Sequence, residues 1–192
     1  MKTGASDELR VRILDEAARL FDSKGIKFTM DDLARSLAVS KKTIYTVFED
    51  KRSIMIETID RFFDDALAEE EAILKDKSLT TIEQLRLIIG RVPERYTQND
   101  LRQLYVLKEK YPSVYRHWQH CRENYWLGVQ DLLRKGIKEG VVRDVPLPIF
   151  KTMFQSTIAT FFQDDVLIKN QISYRDALSE VASILVDGII AR

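Results

Sequence analysis

Apolar residues return at helical intervals along nearly the whole chain. Leu9, Ile13, Leu14, Ala17, Leu20 and Phe21 share one face of the segment 8–24, which predicts a helix that Gly25 closes in a left-handed conformation, with Lys24 at its negative end. Thr29, followed three residues later by Asp32, reads as a capping-box start, and Leu33, Ala34 and Leu37 supply the inward face of a short second helix. Ala38 and Val39 carry a turn to Ser40, a second N-cap. From there Ile44, Val47 and Phe48 fall at i, i+3 and i+4, leaving Lys41, Lys42, Thr43, Tyr45 and Thr46 on the outside. The expected core of this three-helix unit is Leu14, Phe21, Leu33, Leu37, Ile44 and Phe48.

The pattern restarts at Lys51, where Ile54, Met55, Ile59, Phe62, Phe63, Leu67 and Ile73 predict a long helix. The acidic run Glu69 to Glu71 on it reads as a solvated face. Thr80 and Thr81 open a helix that Pro93 should end, and Asn99 and Asp100 cap another. Pro112 starts a long aromatic helix closed by Gly140. After a loop with two prolines, residues 148–170 read as one helix, and Ser173 caps the last. No segment alternates with a period of two, so the fold class is all-α with about nine helices. An N-terminal helix-turn-helix unit over residues 1–52 precedes a helical bundle over residues 53–192.

Composition adds boundaries. At 192 residues and 45% hydrophobic content the chain can bury a large core. It has no apolar run near eighteen residues, and MKTGASDELR lacks a signal-peptide core, so no membrane partner and a cytoplasmic location are expected. The single Cys121 cannot form an intramolecular disulfide. Formal net charge is zero, with eleven Lys+Arg against nine Asp+Glu in residues 1–55. Any attraction to a polyanion is therefore local, at Lys41, Lys42, Lys51 and Arg52.

The outer face of the helix after Ser40 carries two lysines, two threonines and a tyrosine, with no acid before Glu49. Such a face can meet phosphate oxygens and base edges in a major groove. The segments I-L-D-E-A-A-R-L-F, L-A-x-x-L-x-V-S-K-K-T-I-Y-x-x-F and the following Lys51 resemble the DNA-binding domain of the TetR family of transcriptional regulators, over roughly a quarter of the chain. Ala38 departs from the pattern, since many relatives have glycine in that turn. The resemblance implies a homodimer paired through its final helices, a double-stranded DNA operator and a small-molecule effector of unknown identity. Ser40 opens the groove-reading helix, with Lys42, Thr43 and Thr46 expected at base edges. Thr29, Lys41, Tyr45 and Lys51 are expected at phosphates, and for the tyrosine and the lysine the family usage implies it.

Two further constellations bear on ligands. Phe63, Tyr105, His117, Trp118, Cys121, Tyr125 and Trp126 are candidates for an aromatic-walled pocket. His117, His120 and Cys121 lie at i, i+3 and i+4, a pattern suited to a transition metal but lacking a visible fourth ligand, so no metal or other cofactor is expected. The apolar stripes of the last two helices, including Phe154, Ile158, Phe161, Phe162, Val181, Ile184, Leu185 and Gly188, are expected to form the dimer interface. A phosphate-binding loop, a nucleophile elbow and a metalloprotease helix are all missing, so no catalytic residues and no enzyme activity are expected. The expected function is a repressor released from a near-palindromic operator by a small molecule, and the readings that compete with it are a dimeric small-molecule carrier without DNA binding, supported by the low net charge, and a metal-responsive sensor.

Overall fold

The computed structural model describes the backbone of residues 3–91 and 103–191, with the side chains of residues 3–5, 103–105 and 162 outside that description. Ten α-helices follow one another: α1 (Thr3–Lys24), α2 (Met30–Ser36), α3 (Lys41–Tyr45), α4 (Lys51–Lys75), α5 (Thr81–Ile89), α6 (Gln103–Lys110), α7 (Pro112–Lys138), α8 (Leu147–Gln163), α9 (Val166–Lys169) and α10 (Tyr174–Asp187). A 3-10 turn, Gly25–Lys27, links α1 to α2. No strand occurs among the described residues, only an isolated antiparallel bridge between Val142 and Ile190. No described helix is long and apolar enough to cross a membrane.

The all-helical reading holds, with two differences in the elements. Helix α1 begins well before residue 8. The segment expected as one helix over residues 148–170 is broken: Asp164 is extended (φ −112°, ψ 158°), and α9 follows as a single turn. Two adjacent carboxylates, Asp164 and Asp165, sit at the negative end of α8, where the helix dipole disfavours them. The predicted stop at Pro93 and caps at Asn99 and Asp100 lie outside the described residues.

The chain divides into two compact units, Met1–Phe62 with Gln98–Cys121, and Phe63–Thr97 with Arg122–Arg192. Helices α4 and α7 each contribute to both. In the first unit Ile13, Leu33, Ile44 and Ile54 are fully excluded from solvent, with Leu14, Ala17, Leu20, Phe28, Phe48, Leu107 and Val114 around them. Each such side chain contributes about 1.5–3 kcal/mol by burial, enough to fix five-residue α3 against its neighbours despite its negligible intrinsic stability. Of the expected core, Leu14, Leu33, Ile44 and Phe48 are buried, and Phe21 and Leu37 pack at its margin.

The core of the second unit gathers Ile73, Leu85, Ile88, Ile89, Trp126, Val129, Leu133, Phe150, Ala182 and Val186. Helix α10 packs on α5 and α8. Arg86 of α5 and Asp187 of α10 form an ion pair across that contact.

Candidate nucleic-acid interface

Two side-chain caps build the reader. Thr29 accepts a hydrogen bond from the Asp32 amide at 3.1 Å, and the Asp32 carboxylate accepts from the Thr29 amide at 2.8 Å, which completes the capping box. Lys24 donates to Asp32 at 2.7 Å, and with the Thr29 donors it holds that carboxyl well below the usual carboxylate range. Helix α2 ends at Leu37, and Ala38 takes the left-handed conformation at φ 53°. The Val39 amide then bonds back to the Ala34 carbonyl at 3.0 Å, and Ser40 caps α3 by accepting from the Thr43 amide at 3.0 Å.

This turn sets the exposure of α3. Ile44 is fully buried and Phe48 nearly so. Lys41, Lys42, Tyr45 and Thr46 are exposed and Thr43 is half-buried, which is the division that the i, i+3, i+4 pattern predicts. Some of these groups already have partners. Lys41 pairs with Asp31 at 2.8 Å, Ser40 and Thr43 share a hydroxyl contact of 2.8 Å, and the Thr46 hydroxyl donates to the Thr43 carbonyl at 2.6 Å. The Lys42 side chain makes no hydrogen bond within the described residues, and Tyr45 is half exposed.

Lys51 is different. A cation on the first residue of α4 faces the positive end of that helix, which disfavours it. Its ammonium donates to the carbonyls of Ile26 and Phe28 and stands 4.1 Å from the centre of the Phe28 ring. Burial lowers its pKa to about 8. Two of its three protons thus hold the 3-10 turn to α4, leaving one for any phosphate.

The pocket candidates fall into both units. In the second, Phe63 and Tyr125 approach with ring centroids 6.3 Å apart, and Trp126 stacks on Phe154 at 5.5 Å. Phe63, Tyr125 and Trp126 are thus brought near the core of that unit. His117, Trp118 and Cys121 belong to the first, where Trp118 lies beside Tyr115. The side chain of Tyr105 lies outside the described residues.

Within the second unit a small cleft is lined by Ala66, Glu69, Glu70, Ile73, Arg91 and Tyr125, among others. Its polar centre is a residue that the acidic-run reading gave to solvent. Glu69 does pair with Arg91, and Glu71 with Lys75, but Glu70 is only 6% exposed and its Oε2 has no partner. Burial raises the Glu70 pKa, and burial together with Glu70 and Glu69 raises that of Tyr125. An added Cβ on Gly128 would come within 2.4 Å of Glu70 Oε1, so the carboxyl would have to shift to admit it. Periodicity carried the missed signal: Phe63, Ala66, Glu70 and Ile73 form one helical stripe, and all four are buried.

The expected pairing face is divided. Phe154 and Leu185 pack partly against the second core, Ile158, Phe161 and Val181 are half-buried, and Gly188 is exposed. Ile184 is 61% exposed. The side chain of Phe162 lies outside the described residues.

The i, i+3, i+4 trio does not converge. His120 is exposed, while His117 and Cys121 meet Asp60 of α4. The third member of this cluster comes from a residue 57 positions from His117, beyond the reach of helical spacing.

Comparison with known proteins agrees with this geometry. Residues 13–58 match the family model of bacterial regulatory proteins, tetR family. The chain is 25% identical over 180 residues to the HTH-type transcriptional regulator YvaF of Bacillus subtilis, covering 94% of this chain and 95% of that protein. In fold it is similar to a transcriptional regulator from Saccharomonospora viridis solved with choline (TM-score 0.77, 20% identity, 97% of this chain and 100% of that one). It is also similar to FadR from Bacillus subtilis solved with stearoyl-CoA (TM-score 0.73, 21% identity, 93% and 98%). With a capped helix α3 inside the matched segment, residues 13–58 carry the DNA-binding segment of the TetR family of transcriptional regulators at the N-terminus, and the fold is shared with solved regulators over nearly the full length of the chain.

Proposed function

We propose that this protein is a homodimeric repressor that binds a near-palindromic operator and is released from it by a small molecule. The observation that carries the reading is α3, which turns Lys42, Tyr45 and Thr46 to solvent on an element fixed by the buried Ile44 and Phe48. Residues 1–52 are the DNA-binding part and residues 53–192 the ligand-binding and pairing part. Lys42, Thr43 and Thr46 read base edges. Lys41, Tyr45 and the remaining proton of Lys51 meet phosphates, and Thr29 supports them through its cap. Two-fold symmetry sets the half-sites about one helical turn, or a multiple of it, apart.

Pairing runs through α8 and α10, where Met153, Ile184 and the nearby Ile149 are large apolar side chains left in solvent. Ile184→Lys places a charge on that face without touching the core, and light scattering should then find monomers. A normal dimer contradicts this assignment.

The effector binds in the second unit at the Glu70 cleft. A buried carboxyl with an open acceptor, beside the Tyr125 ring, suits a ligand that brings a cationic or hydrogen-bond-donating group. The choline and stearoyl-CoA complexes of structural relatives support small-molecule binding by this fold, without setting its chemistry here. By linkage, a ligand favouring one arrangement of the protein lowers DNA affinity by the same factor that DNA lowers ligand affinity. A coupling of about 1–3 kcal/mol, roughly 5- to 150-fold, makes a useful switch.

Selection of bound sequences from a random duplex pool, followed by affinity against salt, tests the reading. A near-palindromic site with the salt dependence of several phosphate contacts supports it. No enrichment from well-folded dimer would overturn it in favour of a carrier that does not bind DNA.

A further inference from the structure

Asp60 of α4 and His117 and Cys121 of α7 converge within the first unit, each half-buried, with their ligand atoms all within 4.8 Å of one another. His117 Nε2 lies 2.5 Å from Asp60 Oδ1, and the Cys121 Sγ lies 3.6 Å from His117 Nε2 and 3.8 Å from Asp60 Oδ1. A hydrogen bond explains the first distance. The thiol makes long, sulfur-type hydrogen-bond contacts to both partners and closes a three-ligand cluster.

The same spacing fits a metal ion. Around a tetrahedral ion with the usual bond lengths, sulfur lies about 3.6 Å from a nitrogen or oxygen ligand, and nitrogen about 3.4 Å from oxygen. The two sulfur distances already match. Only the His117–Asp60 pair must open, by somewhat under 1 Å, as the ion takes the place of the shared proton.

We propose that Asp60, His117 and Cys121 form a binding site for a divalent transition-metal ion of the zinc and cobalt class. One carboxylate, one imidazole and one thiolate exclude magnesium and calcium, which take oxygen ligands. Three protein ligands leave a fourth position for water or another small donor. On binding, the Cys121 thiol releases its proton to solvent. The proton shared with Asp60 moves from His117 Nε2 through solvent to Nδ1, so that the imidazole stays neutral and Nε2 is free to coordinate. The ion's two positive charges are then balanced by one carboxylate and one thiolate, which suits a half-buried position. Occupancy ties α4 to α7 inside the unit that holds the reader helix. The site does not depend on the repressor reading, and its test involves no DNA.

Cobalt(II) titrated into the full chain, freed of metal by chelator and kept reduced, should produce a thiolate-to-cobalt charge-transfer band saturating at one ion per chain. Zinc should abolish the band by competition and raise the thermal midpoint. Cys121→Ser should lose the band, and His117→Ala and Asp60→Asn should each weaken cobalt binding by at least about tenfold, the lower end of what disturbing a metal site does. His120→Ala should leave affinity unchanged. Far-UV circular dichroism checks that each variant is folded, and the conservative Asp60→Asn carries the test if Cys121→Ser is not. No band on the native protein, a band that survives Cys121→Ser, or affinity unaltered in folded Asp60→Asn overturns the proposal.

Discussion

The two units bury a charged side chain in opposite ways. In the first, Lys51 loses much of its hydration but finds the Ile26 and Phe28 carbonyls and the face of the Phe28 ring. In the second, Glu70 is more deeply buried, and its Oε2 has no hydrogen-bond partner among the described residues. A satisfied buried charge holds structure together, whereas an unsatisfied one lowers stability and persists where something other than stability requires it. Under the proposed function, the second unit keeps a polar group open for a ligand.

Removing the satisfied charge gives the largest effect. Lys51→Ala strands two carbonyls and deletes a cation over a ring, so it should cost roughly 2 kcal/mol, lowering the thermal midpoint by about 4–8 °C for a chain of this size. The deficit should change with pH. The folded pKa, about 8, lies below the unfolded value of 10.5, so between those limits the unfolded state holds more protons. Native stability therefore gains on the variant as pH rises through that window. Even the neutral amine keeps two N–H donors for the two carbonyls. Thermal melts from pH 7 to 10 decide the matter, and a variant as stable as the native protein would show that the carbonyls do not need the lysine.

The unsatisfied charge should respond with the opposite sign. Glu70→Gln keeps the shape and removes the buried anion, so at pH 7 it should raise stability by about 1 kcal/mol, or 2–4 °C. The raised pKa of Glu70 means that the folded state holds more protons above pH 4.5, so native stability falls as pH climbs through that region. The variant should lack this fall. A variant less stable than the native chain at pH 7 would mean that the carboxylate has a partner in solution, and the comparison between the units would fail.

How much of this the sequence disclosed follows from how locally each feature is made. The caps at Thr29 and Ser40 and the stripe of Ile44 and Phe48 depend on neighbours three or four residues away, and all are found as predicted. Glu70 was misread because three consecutive acids look like solvent face, although its own register with Phe63, Ala66 and Ile73 points inward. Asp60 gave no signal, since its meeting with His117 and Cys121 is a packing of two helices distant in sequence. The break at Asp164 was a conflict between an apolar stripe and helix-end electrostatics, and the latter prevailed.

The smallest test concerns the reader unit's own departure from economy. Ala38 holds a left-handed conformation, φ 53°, that costs a non-glycine residue about 1 kcal/mol. Its methyl group is exposed and fills no core. Ala38→Gly removes that strain but also frees the unfolded chain, which returns 0.5–1 kcal/mol of the gain. The net should be a rise of about 0.5 kcal/mol at most, or 1–2 °C, and Ala38→Val should fall in the opposite direction by more, because β-branched side chains tolerate this region worst. Melts of both variants measure the turn directly. A stable Ala38→Val would mean that the turn relaxes out of the left-handed region, and that α2 and α3 are held at their spacing by the buried Leu33 and Ile44 rather than by the residue between them.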